Sequence, residues 1–348
     1  MTEGRVRDEV ARLLAAFEAR GAVRIEADIL QPAETLLDLY GEDIRARAFV
    51  TADPLRGEAM LRPDFTVPVV QMHLAGGAET ARYTYAGPVF RKQPDADRPV
   101  EFEQVGYELF GGSDRAVADA EVFAAFHELL TPHGMMPATG DIGLIRAAVL
   151  GLRTSEIRKQ ALMRHLWRPR RFRALVERYR AVRPVPALAG SPESPEIGLR
   201  SRAEVEARLA ALALDATVPP LSEGEAALLD AILALKEASG MVLPQLRDIA
   251  VDMPAIREAV VGFEARLAAL DAVGIDAARV PFEASYGRTT LEYYDGFVFG
   301  FVAPARPDLP PVATGGRYDT LTRALGGGRD AASVGGVVRP GLLTELSS

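Results

Sequence analysis

The chain has 348 residues, 48% apolar and 25% charged, which is ordinary for a globular protein and long enough for one large domain plus a smaller one. A net charge of -8 disfavours a general nucleic-acid binder, and the absence of cysteine excludes disulfides, cysteine metal sites and thiol catalysis while fitting a reducing cytosol. The start, MTEGRVRDEV, is charged without an apolar core, and no run of 18 apolar residues occurs, so neither a signal peptide nor a membrane span is expected and a cytoplasmic location is.

In chain order, Val6, Val10, Leu13, Leu14 and Phe17 recur at helical spacing, and Gly21 stops that helix. AVRIEADIL (22–30) reads as a strand ending at Pro32, and ARAFVT (46–51) and EAMLR (58–62) as short strands. DFTVPVVQMHLA (64–75) begins with Asp64 as a cap and turns helical, with Pro68 in its first turn. TARYTYAGPVFR (80–91) and VEFEQVGYELFG (100–111) alternate with period two, as an antiparallel pair does. DRAVADAEVFAAFHELLTPHG (114–134) is a helix closed by Pro132 and Gly134.

From 143 to 275 Ala, Leu, Arg and Glu recur at helical spacing, interrupted by RPVPALAGSPESPE (183–196) and DATVPPLSEGE, where Ser222 and Glu225 form a capping box. Strands return in RVPFEA, LEYYDGFVFGFVA, PPVATGG and AASVGGVV, with a short helix, RYDTLTRALGG, before the last. This order predicts an α+β fold: an antiparallel sheet domain of residues 1–142 and 276–348, interrupted by a helical insertion, 143–275.

Four stretches in order, LRPDFTVPVV (61–70), GPVFR…FEQVGYELFG (87–111), LEYYDG (291–296) and GGRYDTL (315–321), resemble the catalytic core of the histidyl-tRNA synthetases. EADILQPAETLLDLYGED (26–43) resembles the dimer-forming first motif of class II synthetases, with Pro32 as its proline. The resemblance implies a class II aminoacyl-tRNA synthetase-like antiparallel sheet with flanking helices.

The departures are equally specific. The synthetase second motif carries a Glu two residues after its Arg to read adenine, and here that position is Gln93. The Arg of the first histidine signature is replaced by Thr289. The third motif, SVGGVVRPGLL, lacks its Glu-Arg pair, and Arg339 falls three residues early. A synthetase would continue past Ser348, so no anticodon-binding domain is expected. This pattern is similar to that of the ATP phosphoribosyltransferase regulatory subunits, paralogues of the synthetases.

That resemblance implies a non-catalytic subunit without a cofactor of its own. It would partner the short-form ATP phosphoribosyltransferase catalytic subunit and serve activity and histidine feedback in the first step of histidine biosynthesis. It also implies a homodimer core within a hetero-oligomer. The competing expectation is an active histidyl-tRNA synthetase-like adenylating enzyme, which Gln93, Thr289 and the missing Glu-Arg pair oppose.

By the same resemblance, Asp64, Thr66 and Gln104 face the ammonium of free histidine, Glu108 and Tyr294 bracket its imidazole, Tyr318 closes the wall and Arg91 meets the carboxylate. Without it, Asp64 reads as a helix cap, and Arg91, Gln104 and Glu108 as a cross-strand polar network. EYYDG then reads as an aromatic strand end running into a turn. The four signatures together favour the pocket.

His73, His127, His133 and His165 lack metal-ligand spacing, so no metal site is expected. GGGRD (326–330) precedes a strand, not a helix, and so does not read as a phosphate loop. Residues 151–180 hold ten Arg or Lys against two Glu, a solvated helical face or else a docking surface for an acidic partner or a nucleotide.

Overall fold

The computed structural model describes residues 2–40, 42–55, 57–93, 98–181, 201–288, 293–327 and 331–347. Thr289, Leu291 and Glu292 of the histidine signature, the stretch 183–196 and residues 328–330 of GGGRD lie outside the described residues. The strands are β1 (Val23–Arg24), β2 (Leu30–Pro32), β3 (Val50–Asp53), β4 (Gly57–Leu61), β5 (Ala81–Phe90), β6 (Glu101–Phe110), β7 (Met136–Asp141), β8 (Lys236–Ala238), β9 (Pro281–Glu283), β10 (Phe297–Val302), β11 (Ala313–Arg317) and β12 (Ser333–Val338). Among the described residues they form a nine-stranded sheet, β1-β5-β6-β12-β11-β10-β7-β9-β8, and a three-stranded one, β2-β4-β3. The large sheet is antiparallel except for β1 against β5 and β7 against β9.

Period-two alternation sorts side chains between the two faces of this sheet. On β10, Phe297, Phe299 and Phe301 turn to one face and meet Phe123 of the helix Arg115–Leu130, with ring centroids 5.6–6.0 Å apart. On β6, Val105, Tyr107 and Leu109 join the same core, which the helices Thr2–Ala19 and Arg257–Ala272 also cover. Gln104, Gly106 and Glu108 therefore point to the opposite face. The helix Thr66–Gly76 and the helices that follow Asp141 pack there.

The helices between 142 and 272 do not stand apart from the sheet. β8 extends it by pairing with β9, and Arg266 of the helix Arg257–Ala272 bonds both Asp119 and Asp141 in a buried cluster that Arg317 completes at 2.8 Å from Asp119. Arg158 of the helix Glu156–Arg164 reaches Asp215 at 2.7 Å and also donates to the carbonyls of Asp215, Val218 and Pro219. The Ser222–Glu225 capping box is present, and the Glu225 carboxylate also accepts the backbone N–H of Arg153.

Several elements differ from the expectation in detail. The strand expected over 22–30 is two short pieces in two different sheets, because β1 pairs with β5 while β2 pairs with β4. Residues 293–296 precede β10 without belonging to it. β7, β8 and the helix Pro340–Leu346 carry no clear periodicity, and their place is set by partners far along the chain.

Candidate functional site

The hairpin β5–β6 supplies the floor of the site. Glu108 is buried, and both its carboxylate oxygens are held. Tyr85 donates to Oε1 at 2.7 Å, and Tyr318 donates to Oε2 in a short bond. Tyr85 can lie there because it stands opposite Gly106, where a Cβ would fall 2.1 Å from its ring. Across the ladder Glu108 faces Gly335, where a Cβ would sit 1.5 Å from Oε2. Two glycines thus make room for one carboxylate and one phenol. Burial pushes Glu108 up to about 7, against the pull of the Tyr318 and Tyr85 hydrogen bonds, and nearby Asp64 adds to the rise.

The remaining residues close around this pair. Thr66, at the start of its helix, lies 3.3 Å through Oγ1 from the Tyr293 hydroxyl. Tyr293 and Tyr294 stack at angles on each other and on Tyr318, with centroids 4.7–6.4 Å apart. Burial is the main cause that raises the phenols of Tyr85, Tyr294 and Tyr318 well above their ordinary range, so they act as donors and not as anions. Asp64 accepts the N–H of Thr66 at 3.2 Å, but it stands one residue before the N-cap, Phe65, which has no side-chain cap bond, so Asp64 is not itself the cap residue expected from the sequence. Burial raises the Asp64 carboxyl, and the Arg91 charge opposes that rise.

Gln104 is fully buried four residues before Glu108 on the same face of β6, and among the described residues neither its Nε2 nor its Oε1 has a partner. Arg91 follows the end of β5 and donates through Nε to the Pro63 carbonyl at 2.6 Å. Its guanidinium lies 5.7 Å from the Phe102 ring, and that of Arg339, just past β12, lies 5.8 Å from the same ring. Burial, with help from Arg91, lowers Arg339 to about 10. Gln93 donates to the carbonyl of Pro99 in its own loop at 3.4 Å.

The structure thus links Asp64, Thr66, Glu108, Tyr294 and Tyr318 through one set of contacts and places Gln104 and Arg91 beside it on the same hairpin. Tyr85 and Tyr293 were missed. Tyr85 was legible as the partner of Gly106, whereas Tyr293 depends on the course of the chain between Gly287 and β10. Among the described residues no group of three or more His, Asp or Glu has the geometry to hold a metal ion. No described helix is long and apolar enough to cross a membrane. In the basic segment Arg158, Lys159 and Arg180 are engaged with Asp215, Glu156, Glu177 and Glu223.

The family model described as Histidyl-tRNA synthetase matches residues 2–340. An ATP phosphoribosyltransferase regulatory subunit of Allorhizobium ampelinum is 32% identical, with 94% of each chain covered. One of Agrobacterium fabrum is 33% identical over 93% of this chain and 92% of the relative. The chain belongs to the ATP phosphoribosyltransferase regulatory subunits, within the histidyl-tRNA synthetase family. A solved ATP phosphoribosyltransferase regulatory subunit/histidyl-tRNA synthetase of Bacillus halodurans superposes with a TM-score of 0.72 at 23% identity, covering 100% of this chain and 79% of that one. The histidyl-tRNA synthetase of Nostoc does so with a TM-score of 0.66 at 16% identity, covering 98% of this chain and 70% of that one. The fold is therefore the class II synthetase-like α+β fold that the motifs imply. For a member of this family, Gln93 and Arg339 are the described positions that depart from the synthetase motifs.

Proposed function

We propose that the chain is the regulatory subunit of a short-form ATP phosphoribosyltransferase, does no chemistry of its own, and binds free histidine in the pocket around Glu108. The observation that carries the pocket is Gln104: a fully buried amide with both polar atoms unpartnered among the described residues, beside a carboxylate held by two phenols. An orphaned buried amide oxygen costs free energy that a ligand donor such as an ammonium recovers. Each carboxylate oxygen has two lone pairs, so Glu108 can accept an imidazole N–H in addition to its phenols. In this reading Asp64, Thr66 and Gln104 take the ammonium, Tyr294 and Tyr318 flank the ring, and Arg91 takes the carboxylate. Gln93, a neutral amide bonded within its own loop, does not supply the carboxylate that reads adenine.

The partners belong to the same proposal. A homodimer core is supported by Ile29, Leu30 and Val50, which are 42%, 51% and 38% exposed on or beside the small β2-β4-β3 sheet around Pro32. A cytoplasmic location fits a chain without cysteine. The test is co-purification with a short-form catalytic chain, followed by phosphoribosyl transfer assays with and without histidine. Activation by this chain and weakening by histidine are expected. No effect of the chain on the catalytic rate refutes the regulatory role. Histidine-dependent exchange of pyrophosphate into ATP by the chain alone refutes its lack of chemistry.

A further inference from the structure

We propose a second ligand site: the cavity between the helix Pro169–Arg180 and the loop after β9 binds a small organic anion, a carboxylate or phosphate monoester carried on an apolar body. The cavity is about 420 Å³, within the range of small-molecule pockets, and shares no lining residue with the pocket around Glu108. Its walls include Phe172, Val176, Leu233 and Tyr286, so most of a ligand would meet apolar or aromatic surface.

The charge comes from Arg288, which lines the cavity with only 4% of its surface exposed. Its Nε donates to the Leu166 carbonyl at 2.9 Å and its guanidinium lies 4.8 Å from the Phe172 ring, so the group is fixed in place. Among the described residues its Nη2 is buried without a hydrogen-bond partner, and no carboxylate bonds it. A buried, unpaired guanidinium is costly, and an anion of matching geometry removes that cost. Exposed Arg173 lines the same cavity and is close enough to act on Arg288 as a like charge, so the two cations converge. Burial and Arg173 together pull Arg288 down to about 10, as expected of a cation awaiting a counter-ion.

Two carboxylates limit the ligand's charge. Glu283 is occupied by Lys236 at 2.8 Å and Ser285 at 2.7 Å, and Asp230 also lines the cavity. A polyphosphate would meet both, whereas a single anionic group can lie against Arg288 and Arg173 and leave the carboxylates to its apolar end. This arrangement selects one acidic head on a compact body.

The chain has one tryptophan, Trp167, next to the residue that Arg288 bonds and two before Pro169 of the cavity wall, and so carries its own reporter. The experiment titrates the full-length protein with benzoate, phenyl phosphate and inorganic phosphate, following Trp167 fluorescence and calorimetric heat. Saturable binding of benzoate or phenyl phosphate is expected, and the tighter of the two assigns the head group. Benzyl alcohol, which keeps the ring and lacks the anion, should bind at least about ten-fold more weakly. Arg288→Gln should weaken the anion about ten-fold or more, and Glu108→Gln should leave it unchanged. Arg173→Ser, a substitution on the exposed rim that leaves the core intact, should weaken it about three-fold and decides the matter if Arg288→Gln does not fold. No saturable response at tens of millimolar, equal binding of benzyl alcohol, tighter binding of inorganic phosphate than of either ring compound, or wild-type affinity in the folded variants would overturn the proposal.

Discussion

Replacing Glu108 by Gln should flatten part of the pH dependence of stability. Glu108 holds its proton to about pH 7 in the folded chain, because burial outweighs its two phenol hydrogen bonds, whereas it ionises near 4.5 when exposed. Between those values the folded state binds the additional proton. The contribution is therefore complete below about 4.5 and is lost as pH rises through about 7. At about 1.36 kcal/mol for each pH unit, the loss across that window is about 3 kcal/mol. With an unfolding entropy of about 2.1 cal/mol/K per residue, 348 residues give about 1.4 °C per kcal/mol, hence a fall of about 4 °C in Tm. Burial also raises Asp64 and Asp119, which act in the same direction, and lowers His73 and His127, which act in the opposite one. The informative quantity is thus the difference between wild type and Glu108→Gln, measured as Tm by scanning calorimetry from pH 4.5 to 7.5. A wild-type curve that falls about 4 °C relative to the variant supports the buried acid. Parallel curves would refute it and mean that water reaches Glu108.

Three further outcomes follow from packing and charge. Gly335→Ala places a methyl 1.5 Å from the Glu108 carboxylate and 2.8 Å from the Tyr107 carbonyl, so it should cost about 1–3 kcal/mol or more, read as a lower urea midpoint with unchanged slope. Arg158→Ala strands Asp215 and removes donors from three carbonyls, so about 3–5 kcal/mol should be lost and proteolysis near Asp215 should speed up. If the basic segment 151–180 docks the catalytic chain, replacing Arg168, Arg170 and Arg171 by Ser should weaken assembly, and rising salt should weaken the wild type likewise. An unchanged affinity of the complex removes that role.

Legibility in the sequence followed periodicity. β5 and β6 could be read because ten-residue alternation leaves only one face for Gln104 and Glu108, and the structure keeps that face. The helix Arg115–Leu130 could be read from its closing Pro132 and Gly134. β7 was not legible. MPATGD has no alternating apolar run, and it is a strand because β10 pairs with it along six residues. Nor was β8, three residues within a run of helical composition, which is held by β9 from across the fold. At the pocket, the residue types were visible but their bonding was not. That Glu108 would be held on both oxygens depends on Gly106 and Gly335, each of which matters only through the strand opposite. Arg288 gave no signal at all, because the burial of a cation and the lack of a carboxylate at its Nη2 among the described residues exist only in the fold.

Glu108 and Gln104 sit on one face of one strand and stand in opposite energetic positions. Glu108 is satisfied by Tyr85 and Tyr318 before any ligand arrives, so the protein alone fixes its rotamer and keeps its depth constant. Among the described residues Gln104 bonds neither a donor nor an acceptor, and it contributes about 1–3 kcal/mol of unfavourable free energy for each unpaired group. A purely structural remnant would have no reason to hold both, since an apolar residue at 104 would remove the cost at once. In the proposed histidine pocket the two would divide the work: one group preorganised so that its geometry does not change on binding, and one left unsatisfied so that binding is favourable. Adenylation would require further groups aimed at ATP phosphates and adenine. Gln93 is instead turned to its own loop, and Arg339 is bound to the Pro311 carbonyl at 2.7 Å. On the proposed reading, recognition and chemistry would rest on separate residues, so the second could be lost while the first is kept.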